Sequence, residues 1–396
     1  MGIYGDYLNS PLQSDFDALT AERKKQLARI STARGGRDIL VFAADLNKDN
    51  AAITIGYVDL LPINDQLSNL HGEALDLILE TPGGSGEVAE DIVRILRDKY
   101  KEIAVVVPGW AKSAGTIMAM AADELLMGPA SALGPIDAQL VYQGKRFSAD
   151  ALLDGMDKIK KEVTDSGILN KAYIPMLQGI SPGDLQNALN ARNFSKDLVA
   201  KWLATYKFRD WKKHSSTGQD VTQDERTVRG LCIAERLCDH SEWLTHGRSI
   251  KIADLREMRL VVTDYSDQAD LADAINRYFA LLQMTLSGSM YKLYETVNSQ
   301  IYKLFLPTPV PGAGVPGAPG PPALQQSADA AFGEFKCAKC QAPIKIQANF
   351  RPLVPVQPGA ITFPADNRVR CPKCGFLMDL TPLRAQIQAQ FGKPVV

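Results

Sequence analysis

The chain reads as an α/β protein with a largely parallel sheet, helical additions and a small metal-stapled module. Three observations carry this reading. Between residues 38 and 127, short apolar strands alternate with helical stripes, the pattern of strand–helix–strand units. The strand at 75–79 is apolar at Leu75, Leu77, Ile78 and Leu79, as in a sheet covered on both faces. Far down the chain, two CxxC pairs follow a stretch rich in proline and glycine.

Each element can be justified in turn. Residues 1–36 form a helical arm with Leu19, Leu27 and Ile30 among many charges, read as peripheral and solvated. A strand follows at 38–43. Residues 53–58 are a second strand or the entry to a helix over 59–71. The strand at 75–79 ends in Thr81-Pro-Gly-Gly84 and feeds a helix with the stripe Val88, Ile92, Ile95, Leu96. A β-branched strand at 103–107 ends at Pro108-Gly109 and leads to Ala111-Lys-Ser-Ala-Gly115. The helix after Ser113 is apolar almost all round and should be buried. Residues 125–127 give another strand, and 129–146 are loop-rich. From 149 to 241 the pattern is helical, with Thr222 and Glu225 spaced as a capping box. Residues 243–263 read as turn, short helix and short strand, closing a domain over 37–265. Residues 266–305 read as a long amphipathic helical segment, either a helical hairpin or an oligomer-forming arm, weakest at Ser287-Gly-Ser289. Residues 306–334 form a Pro/Gly-rich linker that cannot pack a core, and 335–396 a second, small domain.

Composition bounds the function. The 396 residues exceed one average domain, and an apolar fraction of 45% supports a sizeable core. A net charge of −1 gives no global argument for nucleic acid or membrane binding, and no nucleic-acid partner is expected. The apolar runs are strand-sized, well short of the ~18 residues a membrane span needs. The opening residues show no basic segment before an apolar core, so no secretory signal is expected. Asp6 stands where myristoylation needs Ser or Thr. Four of six cysteines sit in CxxC pairs, which in a chain without an export signal favours metal thiolates and a cytoplasmic location.

Cys337, Cys340, Cys371 and Cys374 match a structural zinc site, because each CxxC turn delivers two thiolates to a tetrahedron. Four thiolates leave no position for catalysis, so the zinc stabilises a small fold that serves recruitment of a partner or substrate. Cys232 and Cys238 read as buried small hydrophobes. Ser113 stands at the start of a helix, where the dipole and free N–H groups favour developing negative charge. A serine there is ordinarily a cap. Its pairing with Thr81-Pro-Gly-Gly-Ser-Gly86 at a second strand end is what points to carbonyl chemistry.

Pro-Gly-Gly-Ser before a helix, then Ala-x-Ser-Ala-Gly opening an apolar helix, then Met127-Gly-Pro-x-Ser-x-Leu-Gly-Pro-Ile-Asp137, resembles the Clp/crotonase-fold serine peptidases. The nearest likeness is to the signal-peptide-peptidase-A-like group and its serine dehydrogenase proteinase branch. It spans about residues 38–265 and is specific between 75 and 140. The resemblance implies a crotonase-type ββα spiral core, assembly into homo-oligomers, and peptide-bond hydrolysis through an acyl-enzyme. By position, Ser113 is the nucleophile and the N–H groups of Gly84 and Ala114 form the oxyanion hole. Clp-type subunits have a histidine about 25 residues after the serine, where this chain has Asp137. His246 stands near the position of the Clp-type aspartate, so acid and imidazole look exchanged, an order ascribed to the serine dehydrogenase proteinase branch. His246 would then be the base and Asp137 its orienting acid. The remaining histidines, His71, His214 and His240, read as surface or packing residues.

Two alternatives stay open. One is a Ser–Lys dyad with Lys145 or Lys158 as the base, Lys160 and Lys161 lying in the same interval. The other is a catalytically inactive oligomeric scaffold that binds through the zinc module. A crotonase-type enzyme acting on acyl-coenzyme A fits the serine less well. The expected substrate is a peptide or protein. No P-loop is present, so any ATP-driven unfolding falls to a separate unfoldase or adaptor chain.

Overall fold

The computed structural model describes residues 2–48, 52–142, 145–304, 325–326, 329–391, 393 and 395. The chain divides into two compact units, 1–305 and 306–396.

The larger unit is built on a seven-stranded sheet. Its strands are β1 (Asp38–Ala44), β2 (Ala74–Glu80), β3 (Glu102–Val107), β5 (Glu124–Met127), β9 (Thr263–Asp264), β10 (Met290–Glu295) and β11 (Gln300–Leu304), in the order β11-β10-β1-β2-β3-β5-β9. The five from β1 to β9 are parallel, and β10 and β11 add an antiparallel edge. Both faces are covered, which is why β1, β2 and β3 read as continuous apolar runs. Leu40, Phe42, Leu77, Leu79, Val105 and Val107 face one core, and Ile39, Val41, Ile78, Ala104 and Val106 face the other.

The first core is closed by α2 (Leu60–Ser68), α3 (Gly86–Lys99), α4 (Ala114–Met120), α6 (Pro182–Trp202) and α7 (Gln223–Cys238). The second is closed by α1 (Phe16–Ala33) and α8 (Ala269–Leu286). Residues 57–68 are a short 3₁₀ turn running into α2, so the segment 53–58 is a helix entry. The capping box at the start of α7 is present: Thr222 Oγ1 accepts from Glu225 N at 3.2 Å, and Glu225 accepts from Thr222 N at 2.8 Å.

Three expectations need correction. The arm over 1–36 is no solvated appendage. Asp15 caps α1 by accepting from Ala18 N, and Leu27 and Ile30 lie fully buried on the sheet. Next, the segment 266–304 is neither one long helix nor a helical hairpin. α8 stops at Leu286, Ser287-Gly288-Ser289 intervene, and β10 and β11 form a hairpin at the sheet edge. In β10, Lys292 and Tyr294 face one core while Leu293 and Glu295 face the other, all fully buried. Buried charges hide a strand's alternation, so Met290, Leu293 and Val297 mimic a helical stripe. Last, Cys238 is buried as expected but Cys232 is exposed.

The buried charges of β10 are paired. Lys292 Nζ lies 2.7 Å from Asp59 Oδ1, and Tyr294 Oη also donates to Asp59. Arg23 of α1 meets Glu295 at 2.9 Å, with Tyr278, Thr285 and Tyr302 completing the network.

In the smaller unit, β12 (Gln325–Gln326), β13 (Ala330–Lys336), β14 (Pro343–Asn349) and β15 (Ala360–Thr362) form one sheet. β16 (Arg368–Arg370) and β17 (Leu377–Asp379) form a hairpin, and α9 (Thr381–Phe391) follows. The expected linker lies outside the described residues up to 324, and β13 begins at Ala330, before its expected end at 334.

Breaking one buried pair tests the corrected role of α1 and β10. Glu295→Gln leaves the Arg23 guanidinium without its counter-charge and should cost the larger unit about 3–5 kcal/mol in urea denaturation. A loss under about 1 kcal/mol would mean that the pair is not what fastens α1 to the sheet edge.

Candidate active site and metal centre

The site grows from two strand ends. After β2 the chain runs Thr81-Pro82-Gly83-Gly84 to Ser85, whose Oγ caps α3 by accepting from Val88 N at 3.1 Å. After β3 it turns through Gly109 into β4 (Trp110–Ala111), Lys112 and Ser113. A second ladder knits these ends together. Thr81 N donates to Trp110 O and Lys112 N to Thr81 O, at 2.8 and 3.0 Å. β4 pairs with β6 (Ala132–Leu133), and Leu133 exchanges both backbone bonds with Ile250. On the other side Ile55 N donates to Gly83 O, and Ser85 N donates to Ile55 O.

Glycine is required twice in this crossing. Gly83 has φ +98°, and a Cβ there would lie 2.6 Å from Ser113 Cβ and 2.7 Å from Lys112 O. At Gly84, with φ +152°, a Cβ would lie 2.4 Å from the backbone of Ile55. Just before them Glu80 is buried and accepts from Trp110 N at 2.8 Å. Burial pushes its carboxyl up to about 8, although the Trp110 and Gly109 N–H groups pull the other way.

Ser113 is held at φ +50°, ψ −116°, and its side chain makes no capping hydrogen bond. A non-glycine residue in that region stores on the order of 1–3 kcal/mol of strain. The ordinary reading of Ser113 as a helix cap therefore fails. Neighbouring N–H groups are satisfied: Gly83 to Thr81 Oγ1, Ser85 to Ile55 O, Gly115 to Lys112 O. Among the described residues, the N–H groups of Gly84 and Ala114 have no protein acceptor.

Asp137 follows Gly134-Pro135-Ile136 and is only 2% exposed. Its Oδ1 lies 2.6 Å from His246 Nδ1. Its Oδ2 accepts from Gln139 Nε2 at 2.8 Å and lies 3.3 Å from His240 Nδ1. A carboxylate on Nδ1 selects the tautomer that leaves Nε2 of His246 unprotonated. Ser113, Ala114, Gly83, Gly84, Asp137 and His246 all line one cavity of about 760 Å³. α6 supplies another wall through Asn187, Asn190 and Phe194.

Lys145, in β8 (Lys145–Ser148), and Lys158, in α5 (Ala149–Ser166), are exposed and line no part of this cavity. Lys160 and Lys161 pair with Asp157 and Asp165 on the helix surface. His214 lies against Glu225, 3.0 Å away, and His71 is exposed.

Sequence reasoning missed His240, Gln139 and the α6 wall. His240 offered no signal, since its approach to Asp137 depends on how α7 ends. Asn187, Asn190 and Phe194 do recur at helical spacing, but spacing cannot tell a cavity-facing stripe from a solvated one.

In the smaller unit the sulfurs of Cys337, Cys340, Cys371 and Cys374 lie within 4.8 Å of one another, so they could hold a metal ion. Two of the contacts, Cys337–Cys374 and Cys340–Cys371, are 3.6 Å. Metal–sulfur bonds of about 2.3 Å set tetrahedral sulfurs roughly 3.8 Å apart, so the donor set fits such a centre. Both knuckles turn alike: Gln341 N donates to Cys337 O and Gly375 N to Cys371 O, each at 2.9 Å. Gln341 and Gly375 both take positive φ, 57° and 69°.

Comparison with known proteins bears on the larger unit. One uncharacterised protein of Methanocaldococcus jannaschii is 44% identical over 137 residues, 33% of this chain and 48% of its own length. A second from the same organism is 30% identical over 95 residues, 24% of this chain and 31% of its own. The chain thus spans less than half the length of either relative. Among solved structures, a ClpP1 mutant from Listeria monocytogenes aligns over 61% of this chain and 98% of its own, at 12% identity and TM-score 0.31. A membrane-bound stomatin-specific protease, in complex with a substrate peptide, aligns over 34% and 56%, at 25% identity and TM-score 0.20. Residues 15–176, about two fifths of the chain, match the model of the ClpP-like SDH-type serine proteinases, a span that holds Ser113, Asp137 and both glycine-bearing loops and makes the larger unit similar to that family.

Proposed function

We propose that the protein is a serine endopeptidase that cleaves peptide bonds through an acyl-enzyme on Ser113. The observation that carries this is the short His246–Asp137 hydrogen bond in the cavity that the strained Ser113 lines. In this reading Ser113 Oγ attacks the scissile carbonyl carbon and its proton passes to His246 Nε2. Asp137, kept buried, stabilises the imidazolium that forms. The carbonyl oxygen becomes an oxyanion and accepts from the Gly84 and Ala114 N–H groups, which have no acceptor among the described residues. Collapse breaks the C–N bond, and His246 gives its proton to the leaving amine. Water then attacks the acyl-enzyme, with His246 again taking the proton, and Ser113 is restored. The exposure of Lys145 and Lys158, away from this cavity, counts against the Ser–Lys alternative.

The four-cysteine centre is proposed to bind Zn²⁺ structurally, with the unit around it recruiting a partner or substrate. Four thiolates would close the coordination sphere, so no peptidase step runs through the metal. Assembly into a homo-oligomer is proposed from the family likeness alone. No helix among the described residues is long and apolar enough to cross a membrane. The cytoplasmic location is proposed from thiols arranged as metal ligands.

Two experiments test this. A serine-directed phosphonate should label Ser113, mapped by mass spectrometry, and labelling should fall at least about 100-fold in His246→Ala. Lys145→Ala and Lys158→Ala should label like the parent. Labelling lost in either lysine variant and kept in His246→Ala would favour the dyad. No labelling of an intact, folded chain would favour the scaffold. Separately, the isolated chain should carry one zinc per protomer. Chelation should unfold residues 335–380 in hydrogen exchange and leave hydrolysis of a short peptide unchanged. Unchanged protection after metal removal would contradict the structural role.

A further inference from the structure

Ser113 and His246 come from distant parts of the chain, and the segment that carries His246 is thinly held. Residues 244, 245, 247, 248 and 249 are all exposed, so apolar packing does little to fix them. Leu244 takes φ +66°, and one turn bond, Arg248 N to Thr245 O, closes the loop on itself.

Lys112, the residue before Ser113, reaches across to this loop. Its Nζ donates to Arg248 O and Ser249 Oγ, both at 3.0 Å, and to Leu133 O of β6 at 3.0 Å. The bond to Arg248 spans 136 residues of sequence. Lys112 is itself fastened, its N–H donating to Thr81 O and its carbonyl accepting from Gly115 N. Its stem passes over Gly134, where a Cβ would lie 2.7 Å from Lys112 Cδ. Three acceptors for three ammonium protons make a fully satisfied bridge between the nucleophile's strand and the imidazole's loop.

We infer that Lys112 is a positioning residue, a cationic latch that holds the His246 loop in register with Ser113. This rests on the peptidase reading above and adds a pH-sensitive constraint to it. Burial, together with the neighbouring charge of Lys251, pulls the Lys112 ammonium down to about 8. Lys251 is itself engaged by Ala130 O and Ser131 O. The other charged or titratable side chains on the segments packed here are Arg248 and His246 of the loop, Asp137 beyond Gly134, and Glu80 beside Trp110. When Lys112 loses its proton it keeps two N–H donors. Ser249 can turn its hydroxyl toward the amine, but the bonds to Leu133 O and Arg248 O lose their charge and weaken.

The latch predicts opposite signs for activity and stability. Lys112 is held at about 8 when folded, below its ordinary 10.5. Between those values the unfolded chain binds more protons, so this residue makes stability rise with pH. Activity should fall over the same range because the loop loosens. Lys207, also lowered to about 8 by burial, adds to the rise in stability, so the Lys112 part is the difference from Lys112→Met.

The test is hydrolysis of a fluorogenic peptide by the full chain across alkaline pH. The parent's kcat should fall above about 8, where Lys112 discharges. Lys112→Met should lower kcat about tenfold at neutral pH, with KM within about twofold, and show no further alkaline fall. Lys112→Arg, which stays charged, should recover part of kcat without the alkaline fall. Glu80, also held near 8, is the control, and Glu80→Gln should keep the fall. Parent-like kcat and alkaline fall in Lys112→Met would overturn the latch, as would a fall abolished only by Glu80→Gln. A second readout needs no catalysis: hydrogen exchange over 244–250 should speed about tenfold in Lys112→Met and about threefold in Ser249→Ala. Unchanged exchange there would also overturn it. Undiminished hydrolysis by Ser113→Ala would instead remove the peptidase reading and leave the exchange result to judge the latch.

Discussion

Two backbone loops cross at Gly83 and Ser113 with no room for a methyl group between them. That contact sets the rest of the site. It forces glycine at position 83 and brings the turn after β2 onto the residue that opens α4. Among the described residues, the N–H groups of Gly84 and Ala114 are left without protein acceptors on either side of the crossing. The strained backbone at Ser113 is the local cost of that approach, and the second ladder of β4, β6 and Ile250 is what holds it.

The crossing is anchored from far away by buried charge. Lys292 of β10 donates to Thr54 O and to Asp59, and Asp59 accepts from Gly56 N. These bonds fix the segment around Ile55, which in turn holds Gly83 and Ser85 through its backbone. A strand late in the chain thus supports a loop early in it. On the opposite face of the same strand, Glu295 fastens α1 through Arg23. Removing either partner of such a pair would expose more than its own interaction, because an unpaired buried charge remains.

Much of the site was legible because its chemistry demands particular residues. Pro-Gly-Gly and Ala-x-Ser-Ala-Gly stand out since only glycine and small side chains allow the crossing. The CxxC pairs stand out since a tetrahedral thiolate centre needs paired knuckles. Asp137 and His246 were reached only by comparing their positions with a family pattern, as nothing local marks them. His240 and Gln139, which complete the bonds of Asp137, were illegible because their approach is set by tertiary folding. The hairpin of β10 and β11 was misread for a physical reason. Lys292 and Glu295 are buried by pairing rather than by being apolar, so burial and hydrophobicity part company there. Lys112 carries no sequence signal of its contacts beyond its place next to Ser113. What sequence could not tell is that it points at the loop bearing His246.

The central claim is that Ser113, His246 and the N–H groups of Gly84 and Ala114 act on one carbonyl. A crystal structure of the protein with a peptide boronate tests it most directly. The account predicts boron bonded to Ser113 Oγ, one boronate oxygen between the Gly84 and Ala114 N–H groups, and His246 Nε2 within hydrogen-bond reach. A boronate bonded to Ser113 with its oxygen turned away from both N–H groups, or no bond to Ser113 at all, would contradict it.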